Sequence, residues 1–408
     1  MTARATDYLE SGQRVFVGAS SNEPTGLLET LRQEGIPEDI RFIQFPIGGL
    51  NQVDFTSFSS TASVETFFMT PVLGGASPER VHFLPMQMRW VYDYLSNNVD
   101  VALIQVARDR HGTLRLGPNV DFVGAVLNSA RIVIAELNTT LVAAAGSPEI
   151  PESRISHIVE TERTLPELPV PNIDNATLKI GTLVADLIRD GDCIQTGIGD
   201  IPTAVLSQLG SKNDLGLHGG IIDDGGMALI ERGCINGSQK PLDKGLHVTG
   251  MALGSRELMR WLADQPDVIF RGANYTHEVS VINQIPNFVS VNSAVEIDLL
   301  GQVNAEYVRG RQVSGTGGSV DFMRAAKASR GGRSIVAMKA TARNGAVSRI
   351  VSRVELVTAL RTDVDMVVTE YGVADLKCAS VKDRAMALIA IAAPDFRNEL
   401  TDAMSKLP

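Results

Sequence analysis

The residues that could do chemistry sit in a few short runs. Gln195-Thr196-Gly197-Ile198-Gly199-Asp200-Ile201-Pro202 follows the apolar pair Cys193-Ile194 and leads into a helix-like stretch. Glycines at 197 and 199 let backbone N–H groups approach a bound oxygen with no side chain in the way. The following helix adds the positive end of its dipole. Such a turn suits a phosphate or the oxyanion of a tetrahedral intermediate, although a Gly-rich turn is more often only a turn. Ser314-Gly315-Thr316-Gly317-Gly318-Ser319-Val320-Asp321-Phe322 is a second Gly-rich loop, and spacing alone reads it as a flexible connection. Carboxylates complete the set. Glu23, in Ala19-Ser20-Ser21-Asn22-Glu23-Pro24, is a candidate base. Asp223, in the stretch Asp214–Gly226, either points into a site or is solvated.

The elements that position these runs follow a repeated plan. Ser11–Gly18 followed by Pro24-Thr25, Leu27-Leu28 and Leu31 resembles Asp190–Gly197 followed by Pro202-Thr203, Val205-Leu206 and Leu209. Each reads as turn, short strand, Gly-rich loop, then a helix starting near the proline. Val99–Gln105 echoes Val364–Glu370 as an apolar strand run led by Asp. The runs 131–136, 288–291 and 334–338 read as further buried strands between helical patterns. The expected fold class is therefore α/β: two related domains from an internal duplication, each a mainly parallel sheet flanked by helices. Ligands in such sheets sit at the carboxyl ends of strands, where the Gly-rich turns fall. Thr161–Asp174 carries three prolines and reads as an extended linker. The expected division is a domain over 1–165, a linker over 166–178 and a domain over 179–408.

Composition narrows the function classes. The 408 residues are 44% hydrophobic and 21% charged with a net charge of −10, a globular composition that argues against nucleic acid as main partner. Cys193, Cys234 and Cys378 are too few and too scattered for a disulfide framework or a zinc cluster, and read as small buried hydrophobes. The first ten residues hold no apolar core run, and no stretch reaches about 18 apolar residues, so neither a signal peptide nor a membrane span is expected. A cytoplasmic protein with no bound metal is the expectation.

The two Gly-rich loops, together with Asn292–Asn304, Ser348–Val351 and Thr369–Leu376, resemble the acetyl-CoA hydrolase/transferase family, collinearly over most of residues 180–390. The likeness is looser at Val99–Gln105, His111-Gly112 and Ala135–Asn138. It implies the CoA-transferase fold and coenzyme A held by Gly197, Ile198, Gly199, Asp200, Ile201, Gly317, Gly318 and a basic residue near Arg343. Glu296, Asp298 and Glu370 read as internal hydrogen-bond anchors, Asp224-Gly225 as a helix-capping turn, and His218 as structural. The N-terminal half is expected to line the acyl pocket, with 67–69 and 86–90 as candidates beside their reading as core.

Two departures from the family pattern bear on mechanism. Relatives carry His-Thr-Glu, with the Glu taking CoA as a thioester, where this chain has His218-Gly219-Gly220. Relatives also carry an active-site Asn where counting back from Asn292 places His277. A histidine can act as acid or base near neutrality and Asn cannot; the other reading of His277 is an exposed loop residue. The expected activity is action on an acyl-CoA thioester by hydrolysis or related cleavage, with His277, Glu23 or Asp223 as base and no glutamyl-CoA intermediate. The alternatives are a CoA-transferase using another carboxylate and a non-catalytic CoA-binding sensor or partner subunit. The implied partners are acyl-CoA with water or a small carboxylate, and a second copy of the chain in a homodimer.

Overall fold

A computed structural model describes residues 3–168 and 171–407. The chain groups into two compact units. The first holds Met1–Pro169, Ile222–Asp224 and Val248–Thr276, and the second holds Val170–Ile221, Gly225–His247 and His277–Pro408.

In the first unit eight strands form one sheet: β1 (Arg14–Val17), β2 (Arg41–Gln44), β3 (Ser63–Thr66), β4 (Val81–Phe83), β5 (Val101–Arg108), β6 (Leu114–Leu116), β7 (Ile132–Val142) and β8 (His157–Thr161). Their order is β4-β3-β2-β1-β5-β7-β8, with β6 on β5. Every pair is parallel except β5 with β6. The residues of β5, Val-Ala-Leu-Ile-Gln-Val-Ala-Arg, are buried up to the last. That near-continuous apolar run is what a parallel strand covered on both faces requires. Leu27, Leu28 and Leu31 of the helix Thr25–Glu34 pack on Val15, Val17 and Leu103 in the unit's core.

The second unit's main sheet runs Gly216–Leu217, Cys193–Thr196, Phe288–Ser293, Arg333–Ala337, Met366–Thr369, Gly372–Asp375. Only the last pair is antiparallel. The helix Ser319–Ala328 buries Val320, Phe322, Met323, Ala325 and Ala326. The mainly parallel α/β architecture inferred from the strand runs is thus the observed one.

Four expectations are adjusted. The strand-run echo of 99–105 with 364–370 does not hold: β5 lies directly beside β1, whereas two strands stand between Met366–Thr369 and Cys193–Thr196. The strand that sits beside Cys193–Thr196 as β5 sits beside β1 is Phe288–Ser293. The expected linker 166–178 ends early, because Asp174 accepts hydrogen bonds from Thr177 N (2.9 Å) and Oγ1 (2.7 Å) and so starts a helix at Asn175. Residues 169 and 170 of that linker lie outside the described residues, and 222–224 and 248–276 group with the first unit rather than within a continuous C-terminal domain. Cys193 and Cys234 are buried as expected, but Cys378 is exposed. Among the described residues no helix is long and apolar enough to cross a membrane.

Candidate active site

The strand Cys193–Thr196 ends in the open turn Gly197-Ile198-Gly199, and the helix Asp200–Ser207 begins directly after it. Gly199 has φ +108°, a conformation that side chains resist, and it sits at the N-cap of that helix. A Cβ added at Gly197 or Gly199 would meet nothing within 4 Å. The turn therefore presents bare backbone to open space, as a backbone cradle for an anion must. Asp200 Oδ1 accepts from Asn172 N at 3.2 Å, which ties the turn to the segment before the helix Asn175–Leu187. Ile201 lies one residue into the helix, and Ile198 is exposed.

A tighter cluster surrounds Gly220 in the same unit. His277 is 1% exposed, and its ring lies 4.4 Å from that of Phe322, centroid to centroid. A Cβ on Gly220 would stand 3.0 Å from His277 Cε1 and 3.1 Å from Nε2. A Cβ on Gly318 would fall on His277 Nε2. The imidazole thus fills the space beside two glycines that carry no side chain. Burial pushes its pKa down to about 3, so the ring is neutral throughout the physiological range. The exposed-loop reading of His277 fails for this reason.

Phe322 continues to Phe288, and Phe288 to His218, at centroid separations of 6.4 Å each. His218 is fully buried. Gln195 lies against this wall, its Cγ 3.2 Å from where a Gly219 Cβ would stand. Gln195 Oε1, Asn292 Nδ2 and Ser290 Oγ are buried without a hydrogen-bond partner among the described residues. Buried polar atoms in a folded protein are normally paired, and these three lie on the strands Cys193–Thr196 and Phe288–Ser293 that lead to this wall. Sequence reasoning did not single them out. Their signal was polar side chains set into apolar strands, Cys-Ile-Gln-Thr and Val-Ser-Val-Asn.

The remaining candidates are placed elsewhere. Arg343 is exposed at the tip of the hairpin formed by Thr341–Ala342 and Val347–Ser348, with φ +54°. Glu23 and Asp223 belong to the first unit. Glu23 is 3% exposed; one of its oxygens accepts from Gln44 Nε2 at 2.7 Å, and its carbonyl accepts from Arg163 at 2.6 Å. Burial raises its pKa against the pull of those donors. Asp223 is half-exposed. Asp224 accepts from Ser255 N at 3.0 Å and from its hydroxyl, an anchoring role. Asp298 and Glu370 are also anchors, accepting from Leu300 N, Gln302 N and Ala340 N at 2.8–3.0 Å. Glu296 accepts from Asn304 Nδ2 at 3.0 Å. Phe67 is buried on Phe45, while Trp90 is 61% exposed. Among the described residues no group of three or more His, Cys, Asp and Glu could hold a metal ion.

Residues 254–404 match the model of the acetyl-CoA hydrolase/transferase C-terminal domain. The chain is 42% identical over 312 residues to the 4-hydroxybutyrate coenzyme A transferase of Clostridium kluyveri, covering 76% of this chain and 73% of that one. The structure of RipA from Yersinia pestis superposes with a TM-score of 0.92 at 33% identity, covering 98% of this chain and 96% of RipA. The structure of a 4-hydroxybutyrate CoA-transferase from Porphyromonas gingivalis superposes with a TM-score of 0.82 at 32% identity, covering 98% and 95%.

Proposed function

We propose that this chain, which belongs to the acetyl-CoA hydrolase/transferase family, cleaves an acyl-CoA thioester by hydrolysis or a related reaction without forming a glutamyl-CoA intermediate. One observation carries this reading: the His277 ring occupies the space beside Gly220, the position we align with the family's glutamate. Gly220 has no nucleophile to offer, and the group that stands in its place is a neutral imidazole.

The chemistry then runs through water. An imidazole nitrogen of His277 takes a proton from a water as its oxygen bonds to the thioester carbonyl carbon. The carbonyl oxygen becomes an oxyanion, which backbone N–H groups of a Gly-rich turn stabilise. The C–S bond breaks, and the departing thiolate takes the proton back from the imidazolium. Burial keeps His277 in its base form but lowers its basicity. Negative charge gathering on the carbonyl oxygen in a dry site offsets that by favouring the imidazolium. Gly197, Ile198, Gly199, Asp200 and Ile201, with Gly317, Gly318 and Arg343, are the residues we assign to CoA. We expect a homodimer.

Two of the similar proteins named above are CoA-transferases, which favours transfer as the second reading. Transfer through the enzyme requires a carboxylate to accept CoA, and Glu23 and Asp223 are the candidates. Incubation with a panel of acyl-CoAs, read by intact mass and by free thiol, separates the two. Hydrolysis gives free CoA with no adduct. A CoA adduct on Asp223 or Glu23 overturns the reading in favour of transfer.

A further inference from the structure

One cavity of the first unit is basic, in a chain whose net charge is −10. It measures about 230 Å³, where one water needs roughly 10–15 Å³. Its wall is built from the carboxyl end of β7, the chain just after β8 and the helix Arg256–Leu262. Carboxyl ends of parallel strands are where α/β sheets take their ligands. Arg163, Arg256 and Arg260 bring charge to the wall. Leu141, Val142, Leu165 and Met259 bring apolar surface, and Val142 is 41% exposed. The whole lining belongs to the first unit, whereas the residues assigned to CoA belong to the second.

The three guanidinium groups are not equally engaged. Arg163 is fixed: its Nε donates to the fully buried Glu136, and one Nη donates to Gln105 Oε1 and, at 2.6 Å, to the carbonyl of Glu23. Its other Nη has no partner among the described residues. Arg256 meets only Glu167, at 2.9 Å, with both side chains exposed. Arg260 makes no ion pair or hydrogen bond among the described residues. It stands one turn after Arg256 on the same helix, a spacing at which like charges repel. An exposed pair such as Arg256 with Glu167 contributes little and opens readily. The cavity therefore offers one rigid and two adjustable guanidinium donors with too little negative charge to match them.

We propose that this cavity is a binding site for a phosphate monoester on a short apolar chain. A carboxylate is planar and is satisfied by a single guanidinium fork. A phosphate monoester carries close to two charges at neutral pH and three acceptor oxygens, which suits three guanidinium groups approaching from two separate elements. Leu141, Val142, Leu165 and Met259 take the chain. Glu167 competes with the phosphate for Arg256. The site stands apart from the role given to His277 and does not depend on it.

The test is calorimetric titration of the full chain, at low salt, with n-butyl phosphate, inorganic phosphate, 1-butanesulfonate and glutarate. Butyl phosphate binds most tightly. Inorganic phosphate, which lacks the chain, binds about fivefold or more weakly, and the singly charged sulfonate is weaker than butyl phosphate as well. Arg260→Ala lowers the affinity for butyl phosphate by about tenfold. Glu167→Gln raises it by about threefold, because the competing carboxylate is gone. Both substitutions are at exposed positions, so the fold is kept. Equal affinity for inorganic and butyl phosphate would reduce the site to a general attraction for anions and overturn the proposal. An unchanged affinity in Arg260→Ala, or a loss in Glu167→Gln, overturns it too. Tighter binding of glutarate than of butyl phosphate overturns the choice of head group.

Discussion

Two corners of this molecule are written in nearly the same residues and are filled differently. Gly117-Pro118-Asn119-Val120-Asp121-Phe122 leads into the helix Val123–Ser129, and Gly317-Gly318-Ser319-Val320-Asp321-Phe322 opens the helix Ser319–Ala328. Each helix precedes the next parallel strand of its own sheet, β7 in one and Arg333–Ala337 in the other. In both corners a glycine leaves space that a polar side chain takes. A Cβ on Gly117 would fall on Asn22 Oδ1, and a Cβ on Gly318 would fall on His277 Nε2. In the first corner the amide belongs to a network with Gln105, and a cavity remains next to Asp121. In the second, a titratable ring packs on Phe322. The lesson is that a shared backbone corner sets where a functional group can stand, while the neighbour that fills it sets which chemistry is possible there.

Three measurements break or sharpen this comparison. The largest effect is expected from His277→Asn. If the second corner is catalytic, kcat falls by about 10²–10⁴, the range of a general base, with CoA affinity intact. A change within about threefold would make the second corner structural. The pH profile is refined by the burial of the ring: activity holds well below the ordinary imidazole range and falls only as pH approaches about 3.

The next effect is a pair of opposite stability responses, each of a few kcal/mol. Burial holds the folded pKa of Asp121 above its unfolded value, so its contribution is full below about pH 4 and is lost as pH rises through about 8. Asp121→Asn, neutral at every pH, therefore gains on the wild type between pH 5 and pH 9. The folded pKa of His277 lies below its unfolded value, so its contribution is present above about pH 6.5 and is lost as pH falls through about 3. His277→Asn gains on the wild type between pH 6.5 and pH 4. Urea unfolding at these pH values checks both. A difference that does not change with pH would mean that the group concerned is solvated.

The smallest effect concerns Gly220. Its φ lies outside the left-handed region, so a side chain is not excluded by backbone strain, and the obstacle is His277 at 3.0–3.1 Å. Gly220→Glu should cost about 1–3 kcal/mol by overpacking, and adding His277→Gly should return most of it. Thermal unfolding of the single and double variants gives the answer. A single variant as stable as the wild type would show that the imidazole moves aside freely.

Much of this was legible in the sequence because the signals are local. Continuous apolar runs gave the parallel strands, and glycines after a strand gave the open turn at 197–199. The burial of His277 was not legible. Asn274-Tyr275-Thr276-His277-Glu278 is a polar run, and only tertiary contact with Phe322 and the glycines at 220 and 318 takes it out of water. Asp121 was hidden for the opposite reason: an Asp just ahead of a helix reads as a cap, yet the N-cap position belongs to Phe122 and Asp121 lies one residue outside it. The misplaced strand echo shows the limit of pattern alone. An apolar run led by Asp identifies a buried strand but not its neighbour in the sheet, which is decided by non-local pairing.

The return of residues 222–224 and 248–276 to the first unit has a consequence for anyone who divides the gene. Asp121 O accepts from Ala273 N, and Ser21 Oγ donates to Ala252 O at 3.1 Å. Met251 forms part of the wall of the cavity next to Asp121. A polypeptide ending at the proline-rich segment would be synthesised without any of these, and its folding would wait on chain that the ribosome adds about a hundred residues later. The first unit is therefore a late finisher in translation although most of it precedes the second unit in the chain, and truncated or two-gene versions begin from an incomplete piece.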